Sequence, residues 1–266
     1  MTKLRVLDLF SGIGGFSLGL ERATNDGKYT GFETVAFCEI EAFPRKVLAK
    51  HWPNVPCYDD VRTLTAERLA ADGIAVDVIT GGFPCQDIST AGKQAGITSG
   101  TRSGLWSEII RLARELRPRF IVVENVANLL VGPSNRPGGW FSRVLGDLAE
   151  CGYDAEWENI PASALGAPHR RERVWIVAYP VQSGWKLLQQ PHQYLLESFA
   201  TGWTADARSA NLAVWNRKEI CPPDFVRLVD GLRAEVDESW FTAFGNAVIP
   251  QIPELIGNAI LQAMNE

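Results

Sequence analysis

The feature that most constrains this chain is a repeated pattern in which a short apolar run ends at an unusual turn and a helical stretch follows. Leu4 to Leu9 runs into Phe10-Ser11 and then Gly12, Gly14 and Gly15, after which Phe16, Leu18 and Leu20 follow at mixed helical spacing. Apolar runs of this length bounded by glycine read as buried strands. Thr34 to Glu39 is a second strand, and Glu41 to His51 a helix stopped by Trp52-Pro53. Val76 to Thr80 leads into Gly81-Gly82-Phe83-Pro84-Cys85, and Leu105 to Leu116 reads as a helix closed by Pro118. Phe120 to Val123 is an apolar strand ending at Glu124-Asn125; Trp140 to Cys151 is a helix, and Tyr153 to Ile160 and Arg173 to Tyr179 are strands. Strands alternating with helices predict an α/β fold with a mostly parallel sheet.

The pattern fails after Pro180. From there to about Ala243 periodicity is poor, and five of the nine tryptophans fall between Trp175 and Trp240. This predicts a small irregular subdomain. Gly245-Asn246 then opens an apolar helix that runs to Met264 and packs back on the first domain.

Composition excludes several classes. With 46% hydrophobic and 21% charged residues the chain is neither disordered nor collagen-like. Five cysteines with no Cys-x-x-Cys pair fit neither a disulfide framework nor a zinc site, and three scattered histidines suggest no metal centre. No leader and no long apolar stretch is evident, so a cytoplasmic location is expected. The net charge of −5 means that nucleic-acid binding would rest on a local basic patch.

In open α/β sheets ligands bind beyond the carboxyl ends of the strands. The glycine turn, the Pro84-Cys85 turn and Glu124 all follow apolar strands, which predicts that they share one sheet edge. A Gly-rich turn of this kind binds pyrophosphate, binds another cofactor, or merely turns tightly. Glu39 suits ribose hydroxyls, or is simply a solvated carboxylate. Cys85 is a candidate nucleophile or a small buried hydrophobe. The long polar loop from Gln86 to Gly104 that follows it, with Lys93 and Arg102, reads as a lid, a binding loop or disorder. Glu124 is either a desolvated proton donor or a carboxylate paired with Arg119 or Arg173. Arg170, Arg171 and Arg173 suit an anionic or planar substrate, or form a solvated run.

Taken together, DLFSGIGGFS at 8–17, GGFPCQDIS at 81–89, VENV at 123–126, RRERVWIVA at 170–178 and GNAVIPQI at 245–252 resemble the motifs of cytosine-5 DNA methyltransferases, closest to bacterial and phage members, in the family's order. The resemblance implies a Rossmann-like S-adenosylmethionine-dependent methyltransferase fold. Residues 1–179 with 244–266 would form the catalytic domain and 180–243 a small target-recognition region. It implies S-adenosylmethionine held by Phe10, Ser11, Gly12 and Gly14, with Glu39 on the ribose and Asp60 and Val61 near the adenine. Leu105, Asn246 and Val248 would complete the pocket, with no metal.

It further implies that Cys85, after Pro84, attacks the 6-position of a cytosine flipped out of duplex DNA while Glu124 stabilises the ring nitrogen. The 5-position is then methylated and loses its proton as the thiolate departs. Arg171 and Arg173 would hold the base carbonyl, and Asn125 would position the catalytic strand end. His169 stands where many relatives have glutamine, and Arg208, Arg217, Lys218 and Arg227 are candidate base readers. The implied partner is double-stranded DNA, with no membrane; a monomer is expected, and a cognate restriction endonuclease in the same system is left open. Two alternatives remain: a tRNA cytosine-5 methyltransferase, against which the missing Cys-Phe-Thr tripeptide argues, and a non-catalytic DNA-binding regulator of the same fold.

Overall fold

The computed structural model describes residues 2–25, 29–84, 102–131, 139–165, 171–183 and 246–265. Within them the strands are β1 (Leu4–Leu9), β2 (Thr24–Asn25), β3 (Tyr29–Thr30), β4 (Phe32–Cys38), β5 (Cys57–Tyr58), β6 (Val78–Gly81), β7 (Phe120–Val126), β8 (Tyr153–Pro161) and β9 (Glu172–Pro180). The helices are α1 (Gly15–Arg22), α2 (Ala42–His51), α3 (Ala66–Ala71), α4 (Trp106–Leu116), α5 (Asn128–Val131), α6 (Gly139–Glu150) and α7 (Gln251–Ala263).

One seven-stranded sheet in the order β5-β4-β1-β6-β7-β9-β8 organises the chain. Strands β5 to β7 in that order are parallel, and β9 joins β7 and β8 antiparallel. The mostly parallel sheet read from the sequence is therefore correct. β1 is paired on both edges and covered on both faces, which is why it reads as a mostly apolar run broken by Arg5 and Asp8. Alternate residues feed two cores: Leu7 and Leu9 join Trp106, Ile109 and Leu112 of α4 and Val144 and Leu148 of α6, while Leu4 and Val6 join Phe16 and Leu20 of α1 and Ile256 and Ile260 of α7. Each buried side chain of this size contributes about 1.5–3 kcal/mol, so this two-sided burial dominates the sheet's stability.

Two expectations are corrected. The last helix starts at Gln251, not at Gly245-Asn246. Pro253 lacks an N–H and fits only in a first turn, which fixes the start near Pro250. The strand carrying Glu124 does not stop there; Glu124 and Asn125 lie inside the ladder, opposite Trp175 and Val174 of β9. Among the described residues no helix is long and apolar enough to cross a membrane, and no group of three His, Cys, Asp or Glu side chains could hold a metal ion.

Chain order reverses between β1 and β6. After β1 the chain builds outward to β4 and β5, then returns to place β6 on β1's other side. At such a switch point the turns diverge and leave a crevice for a ligand.

Candidate functional site

The glycine turn fills one side of that crevice. Phe10 takes a left-handed φ of 52°, unusual for a residue with a side chain. Ser11 is buried; its hydroxyl donates to the Asp8 carbonyl at 2.5 Å and accepts from the Cys38 N–H at 3.2 Å, tying β1's exit to β4's. The Gly12 N–H donates to Glu39 Oε2 at 2.7 Å, and the Glu41 N–H to Glu39 Oε1 at 2.8 Å. Glu39 is thus buried, not a solvated surface carboxylate, and its desolvation pushes its pKa up against those backbone bonds. With the Ile40 N–H also bonded to this carboxylate, one of its four acceptor positions is left.

A Cβ built on Gly12 would meet nothing within 4 Å, so the turn faces open space. Gly14, at φ 87°, is backed by Trp52: a Cβ there would lie 2.7 Å from the indole ring. Gly15 packs against Val248, whose carbonyl would be 2.5 Å from an added Cβ. Val248 and its neighbour Ala247 are held in turn by Arg171, whose guanidinium donates to the Ala247 carbonyl at 2.7 Å. Asn246 is exposed beside them. Val61 is buried, while the Asp60 carboxylate is occupied by Arg62 at 2.7 Å, which lowers its pKa. Leu105 is half-buried at the entrance to α4.

Across the crevice, Glu124 is 9% exposed and its Oε1 lies 2.8 Å from Arg173 Nε. The pairing anticipated with Arg119 or Arg173 is made with Arg173. Even so, burial pushes the Glu124 pKa up, with Arg173 and then Arg171 opposing. Pairing and desolvation therefore coexist, and desolvation wins. Gly82 faces this carboxylate, since a Cβ there would sit 3.3 Å from Glu124 Oε2. Asn125 is buried and its side-chain N–H donates to the Phe83 carbonyl at 3.1 Å, fixing the backbone just before Pro84. Pro84 is half-buried at the end of the described segment.

Cys85, the 86–101 part of the expected lid, His169 and Arg170, and all the candidate base-reading residues lie outside the described residues, as does the expected recognition region from 184 onward. The side chain of Arg102 also lies outside them. Sequence reading missed Asp8, Ser17 and Thr80, which form a buried hydrogen-bonded group beneath the glycine turn, and Trp52, which supports it. It also missed Ile40, which is 63% exposed beside Glu39. An aspartate inside an apolar strand was the visible signal for the first group.

A glycine turn and a strand-end acid at the switch point of a mostly parallel sheet, with a second, buried acid across the crevice, place the chain among α/β proteins whose ligand crevice lies at the carboxyl ends of the strands. The family described as C-5 cytosine-specific DNA methylase matches residues 4–212, and the chain belongs to that family.

Among its relatives, Type II methyltransferase M.Sau3AI of Staphylococcus aureus is 35% identical over 188 residues, covering 67% of this chain and 44% of the relative. Type II methyltransferase M.HhaI of Haemophilus parahaemolyticus is 29% identical over 220 residues, 83% of this chain and 62% of the relative. The chain thus spans between two fifths and two thirds of these relatives' length. The fold is also that of the Spodoptera frugiperda DNMT2 structure, with a TM-score of 0.65 at 15% identity over 99% of this chain and 100% of that one.

Proposed function

We propose that the protein is a DNA (cytosine-5-)-methyltransferase that uses S-adenosylmethionine and works through a covalent adduct at Cys85. The single observation that carries this reading is the buried Glu124 carboxyl, raised in pKa yet steered by Arg173, across a crevice from a glycine turn braced by Glu39.

The cofactor fits the residues present. Open space above Gly12, the remaining acceptor position of Glu39 and the exposed Ile40 would receive a ribose and an adenine, with Phe10, Ser11, Gly14, Val61, Leu105 and Val248 as walls and Asn246 at the rim. Asp60 would contribute through its backbone turn, because its carboxylate is engaged by Arg62. The bound cofactor supplies a methyl group made electrophilic by a sulfonium. The chain's residues do the rest.

A Cys85 thiolate adds to C6 of an extruded cytosine, which places negative charge on the ring. Glu124, whose burial raises its pKa above the ordinary carboxylate value, is proposed to offer a hydrogen bond to the ring nitrogen as that charge grows. C5 becomes the nucleophile that receives the methyl group; its proton then leaves to a base and the C6–S bond breaks. Arg173 keeps the Glu124 side chain aimed, and Arg171 fixes the Ala247 backbone beside the cofactor turn. Arg173, which spends its Nε on Glu124 and one terminal nitrogen on the Glu172 carbonyl, is the guanidinium proposed to reach the base carbonyl. Asn125 holds Phe83, and through it the approach to Pro84 and Cys85.

Duplex DNA is the proposed substrate, on which the protein acts as a monomer in the cytoplasm, with 180–243 as the recognition region. Type II names among the relatives fit a place in a restriction-modification system. Bisulfite sequencing of DNA from cells expressing the full chain tests activity and target together. Protected cytosines in one recurrent sequence context are expected. No protection in DNA, with methylated cytosine appearing in tRNA instead, would overturn the choice of substrate.

A further inference from the structure

Asp8 is fully buried in β1, opposite Thr80 of β6 in the parallel register. Its Oδ1 accepts from the Thr80 hydroxyl at 2.7 Å and its Oδ2 from the Ser17 hydroxyl of α1 at 2.9 Å. Its main-chain carbonyl accepts from Ser11 in the glycine turn at 2.5 Å. An acid at this depth is costly, and an apolar residue would have filled the space more cheaply. Its carboxyl gains neutral donors, the Thr80 and Ser17 hydroxyls and the Ser17 N–H, while the nearby Glu39 charge repels it. Burial pushes it up to about 7 in consequence.

The three groups it binds each belong to a different working part. Ser11 lies in the turn that would hold the cofactor, Ser17 in the helix that this turn starts, and Thr80 in the strand that leads through Gly81, Gly82, Phe83 and Pro84 to Cys85. The hub spans the crevice between β1 and β6, where the chain order reverses and the two halves of the site meet. Residues that break the local rule of burying only apolar groups concentrate where function needs a fixed geometry.

We propose that Asp8 is a positioning residue for methyl transfer, locking the cofactor turn and β6, the strand that precedes Pro84 and Cys85 in the chain, into one register through Ser17 and Thr80, so that each half of the site depends on the other. This rests on the methyltransferase reading above. It requires crossed effects that mere stabilisation of the fold would not give. Loss of Thr80's hydroxyl, on the catalytic strand, must weaken cofactor binding; loss of Ser17's, on the cofactor helix, must slow turnover at saturating cofactor.

The test uses the full chain with duplex DNA as substrate, S-adenosylhomocysteine as the binding probe, and the variants Thr80→Val, Thr80→Ser, Ser17→Ala and Asp8→Asn. One net hydrogen bond corresponds to about a fivefold change. Thr80→Val is expected to raise the S-adenosylhomocysteine Kd about fivefold, with Thr80→Ser restoring it. Ser17→Ala is expected to lower kcat about fivefold, and Asp8→Asn, which leaves one acceptor where two were used, to move both.

Urea denaturation run in parallel reports folding. Variants that lose stability but keep the wild-type kcat, KM and Kd would overturn the proposal and leave Asp8 a purely structural residue. Failure of the wild-type chain to bind S-adenosylhomocysteine would instead overturn the cofactor assignment, and the proposal with it.

Discussion

Substituting Gly14→Ala should damage the glycine turn through two separable effects. The first is backbone: at φ 87° an alanine carries a left-handed penalty of about 1–2 kcal/mol. The second is packing, because the new Cβ would fall 2.7 and 2.8 Å from two indole carbons of Trp52 and 3.1 Å from a Leu48 methyl. Trp52 cannot easily retreat. Its Nε1 donates to Glu21 Oε2 at 3.0 Å and its ring meets Phe37 edge-on at 5.3 Å between centroids. Overpacking of this kind costs about 1–3 kcal/mol, so the variant should lose about 2–5 kcal/mol in all.

Trp52→Phe removes the carbons that clash, so the double variant should be less damaged than the sum of the singles by about 1–3 kcal/mol. Urea denaturation of the wild type, both singles and the double closes the cycle. Calorimetry with S-adenosylhomocysteine should show the Kd of folded Gly14→Ala raised at least about tenfold, as the turn carrying the Gly12 N–H is pushed aside, with partial recovery in the double. Additivity within about 0.5 kcal/mol, or an unchanged Kd, would refute the bracing of this turn by Trp52.

Glu124→Gln should cost on the order of a hundredfold in kcat with little change in cofactor affinity, read by steady-state kinetics with labelled cofactor. Because Arg173 opposes the upward shift of Glu124, Arg173→Ala should move the Glu124-dependent limb of the pH–rate profile to higher pH, and unchanged limbs would contradict the pairing. Asp8 has a folded pKa raised from 3.8 to about 7, so the native state holds its proton longer than the unfolded chain, and the stability linked to it is lost as pH rises through about 7. Going from pH 8 to pH 6 should therefore stabilise the wild type over Asp8→Asn by about 1.4 kcal/mol in urea melts, with Glu39 and Glu124 common to both proteins. Equal pH slopes would contradict it.

Much of the sheet was legible because the central parallel strands bury most of their residues on both faces and so appear as predominantly apolar runs; β1 spans Leu4–Leu9 as expected, with Arg5 and Asp8 its polar members. Periodicity could not reveal β5 or the β2–β3 hairpin, since two-residue strands carry no period. The helix start at Gln251 was written in Pro250 and Pro253, but the glycine before them drew the boundary too early. At the site, chemistry-bearing residues at strand ends stood out, and the structure brings Glu39, Gly12, Glu124, Arg173 and Asn125 to one edge. Partnerships were less legible. Which arginine meets Glu124 depends on the antiparallel register of β7 and β9, and Arg171's bond to Ala247 joins residues far apart in the chain. Asp8 escaped notice because its partners come from a helix and a non-consecutive strand.

The account stands or falls on a sulfur–cytosine bond. Duplex DNA carrying 5-fluorocytosine at the methylated position blocks release, because fluorine cannot leave as a proton. Incubated with S-adenosylmethionine, the wild-type chain should form a denaturant-resistant complex whose cross-linked peptide contains Cys85, and Cys85→Ser should form none. Methylation of ordinary DNA without any trapped complex, or trapping that persists in Cys85→Ser, would contradict the central claim.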